Sequence, residues 1–304
     1  MTWSRREFMV TSSLAVVAGS FRGVTLTAEQ PAAAPPVVPT FTPIRRNVGT
    51  FTARGGTMGW LIALDGVVVV DSQFPDTAQM FLDGLKQRSG RRIDLLVNTH
   101  HHGDHTGGNQ TLRPSVTRIV GHANQPGLQR KQAAVAKNEA TQAYADETFS
   151  ESWRTEIGGE IVEGRYYGAG HTNGDIAIVF ERANIVHMGD LMFHHRHPRV
   201  DRPGGASIRN WINVLERVAS DHDADTLYIF GHSKVGLPLT GTRADLLAFR
   251  DYFTGLIAFV QKEIAAGKSA EEVAKSPQVP GFPDHEGVPA GTLQMAYEEL
   301  TATV

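Results

Sequence analysis

The chain has 304 residues, 41% hydrophobic and 20% charged, an ordinary globular composition that supports a sizeable core. A formal net charge of −3 offers no basic footprint for nucleic acid, and past the first residues no apolar run is long enough to span a bilayer. Cysteine is absent, which excludes disulfides and restricts any metal site to nitrogen and oxygen ligands.

The amino terminus reads as a targeting segment. "SRREFM" (Ser4 to Met9) precedes the short, weakly hydrophobic "VTSSLAVVAGS", and the pair Arg5-Arg6 followed by Phe8 resembles the bacterial twin-arginine export signal. Residues 1–28 are therefore expected to be a signal peptide cleaved near Ala28, and residues 29–46 a Pro/Ala-rich linker. Residues 47–304 would form the folded domain, with a periplasmic or extracellular address, the export machinery as partner and no stable membrane insertion after processing.

Within that domain, "GWLIALDGVVVVDS" reads as two strands joined by a turn at Asp65-Gly66. A helix follows, with Met80, Phe81 and Leu85 at helical spacing, closing at Gly90. "IDLLVNTH" is a buried strand, "VTRIVGHAN" another after a short helix, and residues 126–149 a helical excursion. The second half repeats the plan. Strand-like runs lead to a helix with Ile208, Trp211, Ile212, Leu215 and Val218 on one face and Ser207 as N-cap. "DTLYIFGH" is a strand, "TRADLLAFRDYFTGLIAFVQKEIAAG" a long amphipathic helix, and Ser269 to Glu272 a capping box. Strands precede helices twice, so the expected fold is α/β, with two sheets packed together and helices outside.

Residues 98–109, "NTHHHGDHTGGN", crowd four histidines and an aspartate at the end of a strand. In extended backbone His100 and His102 share a direction and His101 takes the other. Asp104 and His105 follow at the next turn. His171 in "GAGHTNGD", Asp190 in "VHMGD" and His232 in "IFGHS" also each follow a strand. Loops at one sheet edge can converge such groups on a single cleft.

This ordered set, H-x-H-x-D-H and then a distant histidine, aspartate and histidine, resembles the metallo-β-lactamase superfamily over roughly residues 47–240. The resemblance implies an αββα sandwich of two mixed β-sheets flanked by helices, with a dinuclear site at one sheet edge. It implies that His100, His102 and His171 hold one metal, that Asp104, His105 and His232 hold the other, and that Asp190 bridges them. It further implies that Asp104 is catalytic, guiding the nucleophile. Two Zn²⁺ ions suit imidazole and carboxylate donors, with iron or manganese as alternatives. The expected function is hydrolysis of a small ester, lactone, thioester or amide by a metal-bridging hydroxide. Two alternatives are a β-lactamase and, from another class, an iron-dependent sulfur dioxygenase. The cysteine-liganded β-lactamase subclass is excluded, and the aspartate at 190 resembles glyoxalase-II-type and lactonase-type members.

Among the other candidates, His194 and His195, with His197, are expected at the cleft mouth as substrate contacts, and Lys234 as an anchor for an anionic substrate group. His187, inside an apolar strand, should be buried and hydrogen-bonded, while His122, His222 and His285 read as surface residues. Ser233 lacks the glycine two residues on that a nucleophile elbow needs, since Val235 stands there.

Overall fold

The computed structural model describes residues 37–302, so the signal-peptide reading and most of the linker lie outside the described residues. A seven-stranded sheet occupies the first half. Strands β1 (Thr40–Arg45), β2 (Val48–Thr52), β3 (Met58–Ile62) and β4 (Val67–Val70) form an antiparallel meander. β5 (Ile93–Val97), β6 (Val116–His122) and β7 (Glu147–Phe149) then add in parallel. The parallel steps need crossovers, which α1 (Pro75–Lys86), the short α2 (Gly103–Thr106) and α3 (Asn109–Leu112), and α4 (Gln125–Ala136) supply.

The second sheet begins with the antiparallel strands β8 (Ser152–Ile157), β9 (Glu160–Tyr166), β10 (Ile176–Phe180) and β11 (Ile185–His187). Further along the chain, β12 (Phe193–His194) pairs in parallel with β14 (His232–Ser233) as a separate ribbon. Within the sheet, β13 (Leu227–Ile229) lies parallel to β11, and β15 (Thr240–Gly241) closes that edge. Helices α5 (Ile208–Asp221), α6 (Arg243–Ala265), α7 (Ala270–Ala274) and α8 (Ala290–Thr301) complete the chain.

Strand alternation explains the layering. Val68, Val70, Leu95 and Val97 point at Val162, Ile176, Ile178 and Ile229 across the gap between the sheets. Their neighbours Val67, Val69 and Leu96 point outward onto Phe81 and Leu85 of α1. Both faces of β4 are thus covered, which is why it is an unbroken valine run. Each buried valine contributes about 1.5–3 kcal/mol relative to exposure. On the far side Val179, Val186 and Tyr228 pack against Trp211 and Leu215 of α5 and Phe249 and Phe253 of α6. The result is the expected αββα sandwich. Ser207 caps α5 by accepting from the Asn210 N–H, and Ser269 and Glu272 form the capping box of α7. No described helix is long and apolar enough to cross a membrane.

Three boundaries depart from the sequence reading. The domain starts before residue 47, because Thr40–Arg45 pairs with β2 and Phe41 packs against Phe51 and Phe81. Pro43 is tolerated there because β1 is an edge strand with an irregular register beside it. The excursion over 126–149 is helical only to Ala136 and ends in strand β7. Helix α1 stops at Lys86 rather than Gly90.

Candidate metal centre

All seven predicted ligands meet at one edge of the sandwich. His100, His102, Asp104 and His105 follow β5, His171 sits between β9 and β10, Asp190 follows β11, and His232 follows β13. They form two groups sharing Asp190: His100, His102, His171 and Asp190, and Asp104, His105, Asp190 and His232. Within each group the ligand atoms lie within 4.8 Å of one another. Asp190 turns one oxygen to each group. Oδ2 lies 3.4 Å from His171 Nε2 and 3.8 Å from His100 Nε2, while Oδ1 lies 3.0 Å from His105 Nε2 and 3.3 Å from His232 Nε2. Asp104 Oδ2 completes the second group, 3.2 Å from His232 Nε2.

The outward nitrogens of the imidazoles decide what the inward ones can do. His171 Nδ1–H donates to the Arg199 carbonyl at 2.7 Å, and His102 Nε2–H to Asp201 at 2.9 Å. His105 Nδ1–H donates to Asp71 at 2.7 Å. His100 Nδ1 is 3.1 Å from Thr99 Oγ1, whose own proton goes to Asp71 at 2.8 Å. In neutral rings these bonds leave lone pairs on the inward atoms, yet His102 Nδ1 lies 3.1 Å from His100 Nε2 and 2.8 Å from His171 Nε2. Three converging lone pairs repel unless a cation sits among them. His105 Nε2 and Asp190 Oδ1 are also buried, 3.0 Å apart but without a well-directed hydrogen bond, a cost a bound cation would remove. The donors, all imidazole or carboxylate, fit divalent transition metals.

The two groups differ in charge when no metal is present. Burial drives the His171 ring down to about 3 and, with His105 nearby, pushes His100 well below its ordinary value. Burial also opposes charge on His232, but the Asp190 and Asp104 carboxylates outweigh it and hold that ring up at about 9. His105 is raised in the same way, against burial, by Asp190, Asp104 and Asp71.

The family follows from this frame and one comparison. A family model described as the metallo-beta-lactamase superfamily matches residues 53–232. The chain belongs to that superfamily. A "probable metallo-hydrolase" of Methanocaldococcus jannaschii is 29% identical over 179 residues, 56% of this chain and 84% of that protein. A hydroxyacylglutathione hydrolase of Rhodospirillum rubrum is 33% identical over 151 residues, 47% of this chain and 49% of that one. Among solved structures, a metallo-beta-lactamase from Pontibacter korlensis superposes with TM-score 0.60 at 18% identity, covering 71% of this chain and 99% of that chain. With hydrolases among these superfamily relatives, this protein is a hydrolase.

Several supporting residues of this superfamily member were missed in the sequence. Asp71 directly follows the valine run of β4, is fully buried, and accepts from the Thr99 N–H, the Thr99 hydroxyl and His105. An acid ending a wholly apolar strand was the available signal. Asp201 orients His102 and lies 3.4 Å from His101 Nε2. Gly56 and Gly231 allow close approach: a Cβ would fall 2.1 Å from the His105 ring and 2.4 Å from Asp190 Oδ1, respectively.

Other expectations need correction. His194 faces away from the ligands, because Phe193 is the residue paired with His232 on the ribbon and His194 pairs with Ser233. His194 Nδ1 instead meets the Pro238 carbonyl at 3.1 Å. His195 is exposed, lines a separate small cavity with His194 and His285, and reaches none of the ligands. His197 hydrogen-bonds the Tyr252 hydroxyl at 2.8 Å. Lys234 donates to the Asp284 carbonyl at 2.8 Å, which uses one of its three ammonium N–H groups. His122 is buried and stacked on Tyr166 rather than exposed. His222 and His285 are half-buried. His187 is buried with Nε2–H donating to the Thr57 carbonyl, and His101 stands outside both ligand groups, in a third group with His102 and Asp201.

Proposed function

We propose that the protein is an exported dinuclear zinc hydrolase that cleaves a small ester, lactone, thioester or amide. The observation that carries the two-metal reading is Asp190, whose two oxygens face two separate donor groups. His100 Nε2, His102 Nδ1, His171 Nε2 and Asp190 Oδ2 would hold one ion. Asp104 Oδ2, His105 Nε2, His232 Nε2 and Asp190 Oδ1 would hold the other. Bound divalent ions supply Lewis acidity at the carbonyl and lower the pKa of water. The chain does the rest. Asp71, Thr99, Asp201 and the Arg199 carbonyl fix the ring orientations before substrate arrives. Asp104, the most exposed ligand at 28% of its side chain, can accept a hydrogen bond from the attacking water and aim its lone pair at the carbonyl carbon.

Metal analysis of purified protein should find close to two transition metals per chain, and a visible spectrum separates zinc from the iron of the dioxygenase reading. Substrate class is tested on one zinc-saturated preparation near neutral pH. Asp190 adds negative charge between the ions, which suits departure of an alkoxide or thiolate better than of an amide nitrogen anion. Lactone, aryl-ester or thioester kcat/KM should exceed that for penicillins and carbapenems by about two orders of magnitude, roughly 2.7 kcal/mol of transition-state stabilisation. The metallo-beta-lactamase of Bacillus cereus, 24% identical over 172 residues, supports β-lactam hydrolysis as the second reading. Faster penicillin or carbapenem turnover would put that reading first.

Export by the twin-arginine route to the periplasm or beyond rests on Arg5 and Arg6. Changing both to lysine should strand the precursor in the cytoplasm. Unchanged periplasmic yield would point to the general secretory route.

A further inference from the structure

A groove of about 380 Å³ runs beside the site, between α4 and the strap of residues 199–204, with His101, His102, Asp201, Lys131 and Arg199 in its lining. The strap is locked to the ligand trio. The Arg199 carbonyl accepts from His171, the Asp201 N–H donates to the His171 carbonyl at 3.2 Å, and the Asp201 carboxylate takes His102 and the Gly204 N–H. A molecule in the groove is therefore held at a fixed distance from the site. We propose that this groove is the subsite for the non-reacting part of the substrate, and that this part carries a carboxylate on a short apolar chain. The proposal rests on the hydrolase reading above.

Three features specify that chemistry. Lys131 and Arg199 form no side-chain ion pair among the described residues, so two cations on facing walls are free to meet an anion. The one carboxylate in the lining, Asp201, is already engaged by His101, His102 and Gly204. Leu128 and Val135 on α4 and Pro203 on the strap add apolar lining, and Val135 is 88% exposed.

The test uses metal-loaded protein and matched pairs of aryl esters: monoesters of α,ω-dicarboxylic acids with the far carboxylate free, and the same compounds with it methylated. The free acid should be preferred at least tenfold in kcat/KM, mostly through KM, and added salt should erode the preference. The double variant R199Q/K131Q should collapse the ratio to within twofold, while R199K should retain most of it. No preference in the wild type, or a preference that survives R199Q/K131Q, overturns the subsite. Failure to hydrolyse any ester overturns the ester reading instead. In that event the groove is judged by calorimetry with the non-hydrolysable monoamide of the same diacid: binding weakened at least tenfold in R199Q/K131Q supports it, and equal affinity refutes it.

Discussion

The two halves of the site are built differently. In the trio of His100, His102 and His171 every ring is buried and every outward nitrogen has a fixed partner. In the other half only His105 is held that way, by Asp71. His232 is 15% exposed and leans on Phe193, rings stacked with centroids 5.2 Å apart, while Asp104 opens to solvent. One half is an extension of the core, with its geometry set before any ion arrives. The other is the face that water and substrate meet, and it keeps the freedom to exchange partners.

The comparison turns on Asp190, the group both halves share, and removing it should have the largest effect. Asp190→Ala should lower turnover by about three orders of magnitude and leave at most one metal per chain by elemental analysis. Full activity in that variant would break the bridging assignment.

Protons distinguish the halves next. With His232 held at about 9 and His105 raised as well, an ion entering the second group must displace a proton from each ring below that pH. Its affinity should therefore rise more than tenfold per pH unit, towards about a hundredfold, between pH 7 and pH 9. His171, held down at about 3, is already neutral across that range, so the trio's affinity should stay nearly flat. Zinc titrations in buffers of different ionisation enthalpy count the released protons, and equal release at both groups would contradict the asymmetry.

The anchors give smaller effects. Asp71→Asn weakens the partner of His105 Nδ1 and should cost about 10–100-fold in affinity for the second ion, read by chelator competition. Thr99→Val removes the acceptor of His100 but leaves that ring packed in the core. A loss of about fivefold at the trio, near 1 kcal/mol, is expected. A larger loss than in Asp71→Asn would reverse the ranking of the two halves.

How much of this was legible depended on distance along the chain. His100, His102, Asp104 and His105 are neighbours in sequence, and His171, Asp190 and His232 each end a strand-like run, so both pattern and order were visible. Their anchors were not, because Asp71 lies 34 residues from His105 and Asp201 lies 99 from His102. Only the folded sheet edge brings them together. The misplacement of His194 is instructive: the alternation that sets His101 aside applies equally to it, but seeing that required the two-residue ribbon with Phe193 opposite His232. Strand β1 was hidden by prolines that an edge strand tolerates, although Phe41 and Phe51 pack as core residues do.

The origin of the ligands has a consequence for the whole molecule. Those near residue 100 hang from the first sheet, while His171, Asp190 and His232 hang from the second. An ion bound by both sets is a cross-link between distant parts of the chain, and it closes loops that the unfolded polymer would leave open. A protein with no cysteine would thus gain from coordination the tethering that others take from sulfur bridges. Its resistance to unfolding becomes a function of free-ion concentration, with about 2.7 kcal/mol gained at a hundred times the dissociation constant. Stripping the ions therefore loosens the sandwich along with silencing its edge.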